Sequence, residues 1–154
     1  MQQRLALFVA TVGYAGFFPI APGTVGSAVG LAVYAAIRWT DSAVAEGAAL
    51  ILAMVIGVWA ADLVEKQLGK DPSAVVIDEV LGMLVTVAFL NVTVNGAIAA
   101  FFLFRLYDVV KPWPAGRLEH LHGGPGIMLD DAMAGVYGNL TMRLLIAIFP
   151  GTLA

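Results

Sequence analysis

Asp78-Glu79 and Asp130-Asp131 are pairs of adjacent carboxylates in a chain that carries few charges, and each stands beside an apolar run of helical character. Asp108 is a fifth carboxylate of interest. It falls near the C-terminal end of an apolar run, where a negative charge opposes the helix dipole. Arg105 lies three residues before it and Lys111 three residues after it. Hard carboxylate oxygens beside two cations suit a divalent metal and a phosphate group: Mg²⁺ binds through one or two carboxylates plus substrate phosphate. Pro22-Gly23-Thr24-Val25-Gly26-Ser27 adds a candidate anion site, with glycines that let backbone approach closely and the hydroxyls of Thr24 and Ser27 as donors.

Blander readings exist for each group. Asp78 and Asp130 precede apolar helical runs, where N-caps belong, and Glu79 and Asp131 would then favour the positive end of the dipole. Arg105, Asp108 and Lys111 together also make a plausible structural triad. Thr24 reads equally as an N-cap, and Gly26 with Gly30 as a small-residue packing face. Asp62 has Lys66 one helical turn later, the spacing of a surface ion pair. Glu65, Asp71 and Glu119 read as solvated loop charges, and His120 and His122 as loop histidines without further ligands nearby.

The elements that position these residues are set by composition. Hydrophobic residues make up 60% of the 154, charged residues only 12%, and mean hydropathy is +0.90. A soluble domain carries about a quarter charged residues, so this chain has too little polar surface to cover a core. It is expected to be all-α: an integral membrane helical bundle of about four spanning helices plus a short N-terminal interfacial or re-entrant helix, in one domain over residues 1–154. Apolar helical segments are predicted at about Thr24–Trp39, Val44–Leu63, Asp78–Leu90, Ala97–Val109 and Asp130–Phe149. The first apolar stretch, Leu5–Gly16, is too short to span. It is expected to be retained in the mature protein. The sparse basic residues form no nucleic-acid patch. With no Cys, thiolate metal sites and a cysteine nucleophile are excluded.

Lys66, Lys70, Lys111 and Arg117 fall between the predicted segments on one side of the membrane, and by the positive-inside rule that side is the cytoplasm. Nine of the eleven acidic residues follow them. A carboxylate-lined transporter or channel is the competing class, but it calls for acids near the bilayer midplane. Here they gather at segment ends.

Three blocks carry a resemblance to a known family. They are Pro19-Ile20-Ala21-Pro22-Gly23-Thr24-Val25-Gly26-Ser27, Val76-Ile77-Asp78-Glu79-Val80-Leu81-Gly82, and the long stretch from Phe104-Arg105-Leu106-Tyr107-Asp108 through Lys111-Pro112-Trp113-Pro114 to His122-Gly123-Gly124-Pro125-Gly126 and Asp130-Asp131. In this order they resemble the phosphatidylglycerophosphatase A family. Tyr107, where relatives often have Phe, and Phe17-Phe18 depart from its pattern without removing a reactive group. The resemblance implies a Mg²⁺-dependent phosphatase of the bacterial inner membrane, its substrate an anionic glycerophospholipid, phosphatidylglycerophosphate. It implies catalytic roles among Asp78, Glu79, Asp108, Asp130 and Asp131, metal ligation by Asp78, Glu79, Asp108 and Asp131, and phosphate binding by Thr24, Ser27, Arg105 and Lys111.

Overall fold

The computed structural model describes residues 1–70 and 72–154, so Asp71 lies outside the described residues. Among these every regular element is a helix, and there is no strand. In order come α1 (Gln2–Ala10), a 3₁₀ turn (Ala15–Phe17), α2 (Pro22–Arg38), α3 (Ala43–Leu68), α4 (Ile77–Val87), α5 (Val94–Val110), α6 (Ala115–Leu118), α7 (Gly124–Ile148) and α8 (Pro150–Leu153).

Local signals explain most boundaries. Pro22 starts α2 with a ring that has no N–H to leave unpaired. Ser42 and Thr93 cap α3 and α5, accepting from Ala45 N at 3.2 Å and Gly96 N at 3.1 Å. Gly69, at φ +96°, ends α3. The last helix, expected from about Asp130, starts six residues earlier at Gly124. Gly123 is the N-cap and Pro125 sits in the first turn, a place where proline's missing N–H costs nothing.

α4 and α7 form the centre, flanked by α2, α3 and α5. Their approach depends on glycine. A Cβ at Gly135 would strike the carbonyl of Gly82, and one at Gly82 would strike the Phe104 ring and come within 2.7 Å of the Asp131 carbonyl. Phe104, Leu81, Met83, Met128 and Met142 fill the interior. The outside stays apolar, with Ile51, Leu52 and Val55 on α3, Phe102 and Leu106 on α5, and Leu140 and Leu144 on α7 all exposed. An apolar surface of that extent belongs against lipid or another protein.

Only α3, among the described residues, is long and apolar enough to cross a membrane by itself. α2 and α5 have 17 residues each and α4 has 11, against the roughly 20 a span requires. The expected segment Asp78–Leu90 therefore ends early as a helix. From Ala88 the chain continues unwound to Thr93, and polar side chains from other helices supply its hydrogen bonds. Glu46 accepts from Phe89 N at 2.7 Å. The Tyr34 hydroxyl donates to the Leu90 carbonyl and accepts from Val92 N at 3.3 Å. Asn139 Nδ2 reaches the carbonyls of Val85, Thr86 and Ala88 at 3.1, 3.0 and 3.0 Å. Backbone that leaves the helix inside an apolar bundle survives only with such partners.

Candidate active site

The first turn of α4, the last turns of α5 and the second turn of α7 converge with the start of α2 on a cleft of about 290 Å³. Its lining includes Asp78, Glu79, Arg105, Asp108, Lys111, Asp130 and Asp131. All five carboxylates and both cations singled out in the sequence thus meet in one place. Asp78, Glu79 and Asp131 can each present an oxygen within 4.8 Å of the others.

The capping alternative fails on position. The N-cap of α4 is Val76 and that of α7 is Gly123, so Asp78 is the second helical residue and Asp130 and Asp131 lie a full turn and more inside α7. None of these helix starts has a side-chain cap bond. Asp78 and Asp131 are nevertheless only 8% and 4% exposed. Asp78 Oδ1, Glu79 Oε2 and Asp131 Oδ2 are buried with no hydrogen-bond partner among the described residues. Buried carboxylate oxygens that crowd one another without donors are costly as bare anions, and a bound cation or a shared proton relieves that cost.

The triad Arg105, Asp108 and Lys111 is not formed as a unit. Arg105 reaches Asp108 at 2.8 Å and Glu79 at 3.9 Å. Lys111, the C-cap of α5 at φ +45°, turns instead to Asp130 at 2.7 Å and Glu119 at 3.5 Å. Burial by itself would lower the Lys111 ammonium. The hydrogen bond and charge of Asp130, with the charges of Glu119 and Asp131, outweigh it and hold the group well above the usual lysine range. Lys111 is therefore a permanent cation at the cleft wall.

Other residues fall outside the cleft. Thr24 is exposed on α2 and is not in the lining, and the buried Ser27 hydroxyl donates to the Gly23 carbonyl at 2.9 Å. Both were candidates for phosphate binding. What the start of α2 brings is Gly23, where a Cβ would collide with Glu79 Oε1 and stand 3.0 Å from Arg105 Nη1. Asp62 pairs with Lys66 at 2.6 Å, as its spacing implied. His120 and His122 are exposed. Ser73 and Val75, from the loop before α4, complete the wall. Sequence reasoning missed them, since a serine in a turn and a valine carry no chemical signature of their own.

Comparison with known proteins supplies a family for the chain. The sequence model of the family described as Phosphatidylglycerophosphatase A matches residues 8–146. A Bacteroides thetaiotaomicron protein named "Putative phosphatidylinositol-3-phosphatase" is 39% identical over 142 residues, covering 86% of this chain and 88% of that one. Phosphatidylglycerophosphatase A of Escherichia coli is 35% identical over 129 residues, covering 81% of this chain and 74% of its own. No solved structure matches the chain. A family match that takes in the whole cleft, with two relatives covering most of their length, settles the assignment: the chain belongs to the phosphatidylglycerophosphatase A family.

Proposed function

We propose that the protein hydrolyses the phosphate monoester of phosphatidylglycerophosphate, releasing phosphatidylglycerol and inorganic phosphate, at the cytoplasmic face of a bacterial inner membrane. The observation that carries this reading is the set of donorless carboxylate oxygens on Asp78, Glu79 and Asp131, facing Arg105 and Lys111 across one cleft. An all-oxygen donor set without His or Cys suits Mg²⁺. Asp78, Glu79 and Asp131 would hold it, with Asp108 at the edge against Arg105. Bound there, Mg²⁺ neutralises phosphate charge and stabilises the leaving alkoxide.

The chain's own groups do the rest. Arg105 and Lys111 receive the phosphate oxygens, and a guanidinium does so with two parallel donors. Asp108 fixes the Arg105 head, and Asp130 with Glu119 fixes Lys111. Water attacks phosphorus, its proton passes to a carboxylate of the cluster, and the P–O bond to glycerol breaks as the alkoxide takes up a proton. The family and its named relatives act on phosphorylated lipids. The Bacteroides relative's name favours a second reading in which the headgroup is an inositol phosphate.

Phosphate release from the two lipids separates these readings. Phosphatidylglycerophosphate should be cleaved at least about tenfold faster than phosphatidylinositol 3-phosphate, the scale of discrimination a shaped headgroup site gives. Faster release from the inositol lipid would move the assignment to that headgroup. Exhaustive chelation should stop turnover, and Mg²⁺ should restore it. Undiminished turnover in chelator would remove the metal from the reading.

We place α2, α3, α5 and α7 across the bilayer, with α4 and its unwound continuation between them and the cleft at headgroup level. Lys70, Glu65 and Glu119 cluster beside Asp130 at the cleft end, the end that the positive-inside rule turns inward. Cysteines introduced at the exposed positions Ser73 and His120 should resist an impermeant thiol reagent in intact cells and react after lysis. Labelling of both from outside would invert the topology.

A further inference from the structure

Arg143 lies twelve residues beyond Asp131 on α7, about 18 Å along the axis, in the half of the bundle away from the cleft. Its Nε donates to Asn139 Oδ1 at 2.8 Å and its Nη2 reaches the Ala88 carbonyl at 3.4 Å. The ion pairs of the described residues do not include it. A guanidinium has five N–H donors, so most of this one's capacity faces outward. Arg38, the other arginine at that end, is committed to Glu46 at 3.2 Å and Asp41 at 3.5 Å.

Arg143 stands at the edge of a groove of about 260 Å³ between α3 and α7, over the C-terminal end of α4. Leu50, Val85, Phe89, Val136 and Leu140 make up most of its wall, and the other polar residue, Asn139, is occupied by the α4 carbonyls. An apolar groove with a cation in its wall that makes no ion pair among the described residues is complementary to a lipid with a negative headgroup. Uncharged detergent would leave the guanidinium uncompensated, the ammonium of a zwitterionic lipid would offset its phosphate and leave no net charge for Arg143, and basic pockets between membrane helices bind anionic headgroups.

We propose that this groove seats one anionic glycerophospholipid of the leaflet opposite the cleft, its phosphate on Arg143 and part of an acyl chain along Val136 and Leu140. The site is separate from the cleft and depends on the membrane placement above, not on which headgroup is hydrolysed there. Bound lipid would also shield the Arg143–Ala88 contact at the unwound end of α4.

The test compares wild type, Arg143→Gln, Arg143→Lys, Val136→Trp and Arg105→Gln, each exchanged into micelles with phosphatidylglycerol or phosphatidylcholine, washed, and extracted for lipid quantification. Wild type, Arg143→Lys and Arg105→Gln should retain about one phosphatidylglycerol per chain and little phosphatidylcholine. Arg143→Gln should retain about tenfold less, the scale of one lost charge-assisted contact. Val136→Trp keeps the charge, fills the trough, and should lose the lipid as well, so the result does not depend on one variant folding. Equal retention by wild type and Arg143→Gln would overturn the proposal. So would loss in Arg105→Gln alone, which would put the lipid in the cleft, or equal retention of both lipids, which would remove the charge from recognition.

Discussion

Asp131→Asn should leave the protein folded and lower phosphate release by about a hundredfold or more, the range expected when a positioned acid–base or metal-binding group is removed. Asp131 is 4% exposed, sits more than a turn inside α7, and keeps one oxygen without a donor. Asp78, Glu79 and Asp108 are further acidic groups crowded against it, so an isostere that cannot ionise adds no charge to the buried cluster. Melting in detergent should therefore hold or rise while turnover falls. Asp108→Asn should lose activity similarly but by another route, since its carboxylate holds Arg105 at 2.8 Å. Both rates must be measured on the preparations used for melting. Near-normal turnover in both variants would move the assignment to the α4 pair, Asp78 and Glu79, with Asp130 beside them.

Asn139→Ala should do the opposite, costing stability on the order of 2–4 kcal/mol with turnover per folded molecule nearly unchanged. A buried acceptor stripped of its donor costs about 1–3 kcal/mol. Asn139 serves three carbonyls at the end of α4, of which Val85 keeps a second donor in Ala88 N and Ala88 a weaker one in Arg143. The Thr86 carbonyl has no such substitute in the unwound segment, because Leu90 N turns to Val87. Asn139→Asp removes the same N–H donors and adds a charge, so it should be at least as damaging. A melting temperature unmoved by either change would show that the end of α4 finds its hydrogen bonds elsewhere.

These two residues also mark how far the sequence could be read. Asp131 was legible: a carboxylate in an apolar chain is costly wherever it is buried, so five of them beside Arg105 and Lys111 already implied a site. The all-helical class was legible for a similar reason, since apolar runs with few turn signals leave no alternation for strands. Asn139 was not. Its partners lie 51 to 54 residues away, and the need for it arises only because α4 stops at Val87. Glu46 and Tyr34 escaped notice likewise, bonding across 43 and 56 residues. The partner of Lys111 was not legible either: spacing offered Asp108 as an alternative, whereas the left-handed turn at Lys111 swings it towards Asp130 on α7. Ser27 looked like a ligand for phosphate, yet a buried helical serine finds its nearest acceptor one turn back.

α4 is fastened at both ends, and this fixes its length. At the start, the Val76 amide donates to the Ala10 carbonyl at 2.9 Å; at the finish, Glu46 and Asn139 grip the unwound turn. One extra residue between these fastenings would rotate one end by about 100° against the other, and Asp78 and Glu79 would swing off the face they share with Asp131. Apart from Asp78, Glu79 and Gly82, side chains along α4 can drift in kind so long as their bulk is kept, but insertions and deletions should not be tolerated there. Within the family, the interval from Val76 to Ala88 should stay constant in count, its composition varying only outside Asp78, Glu79 and Gly82.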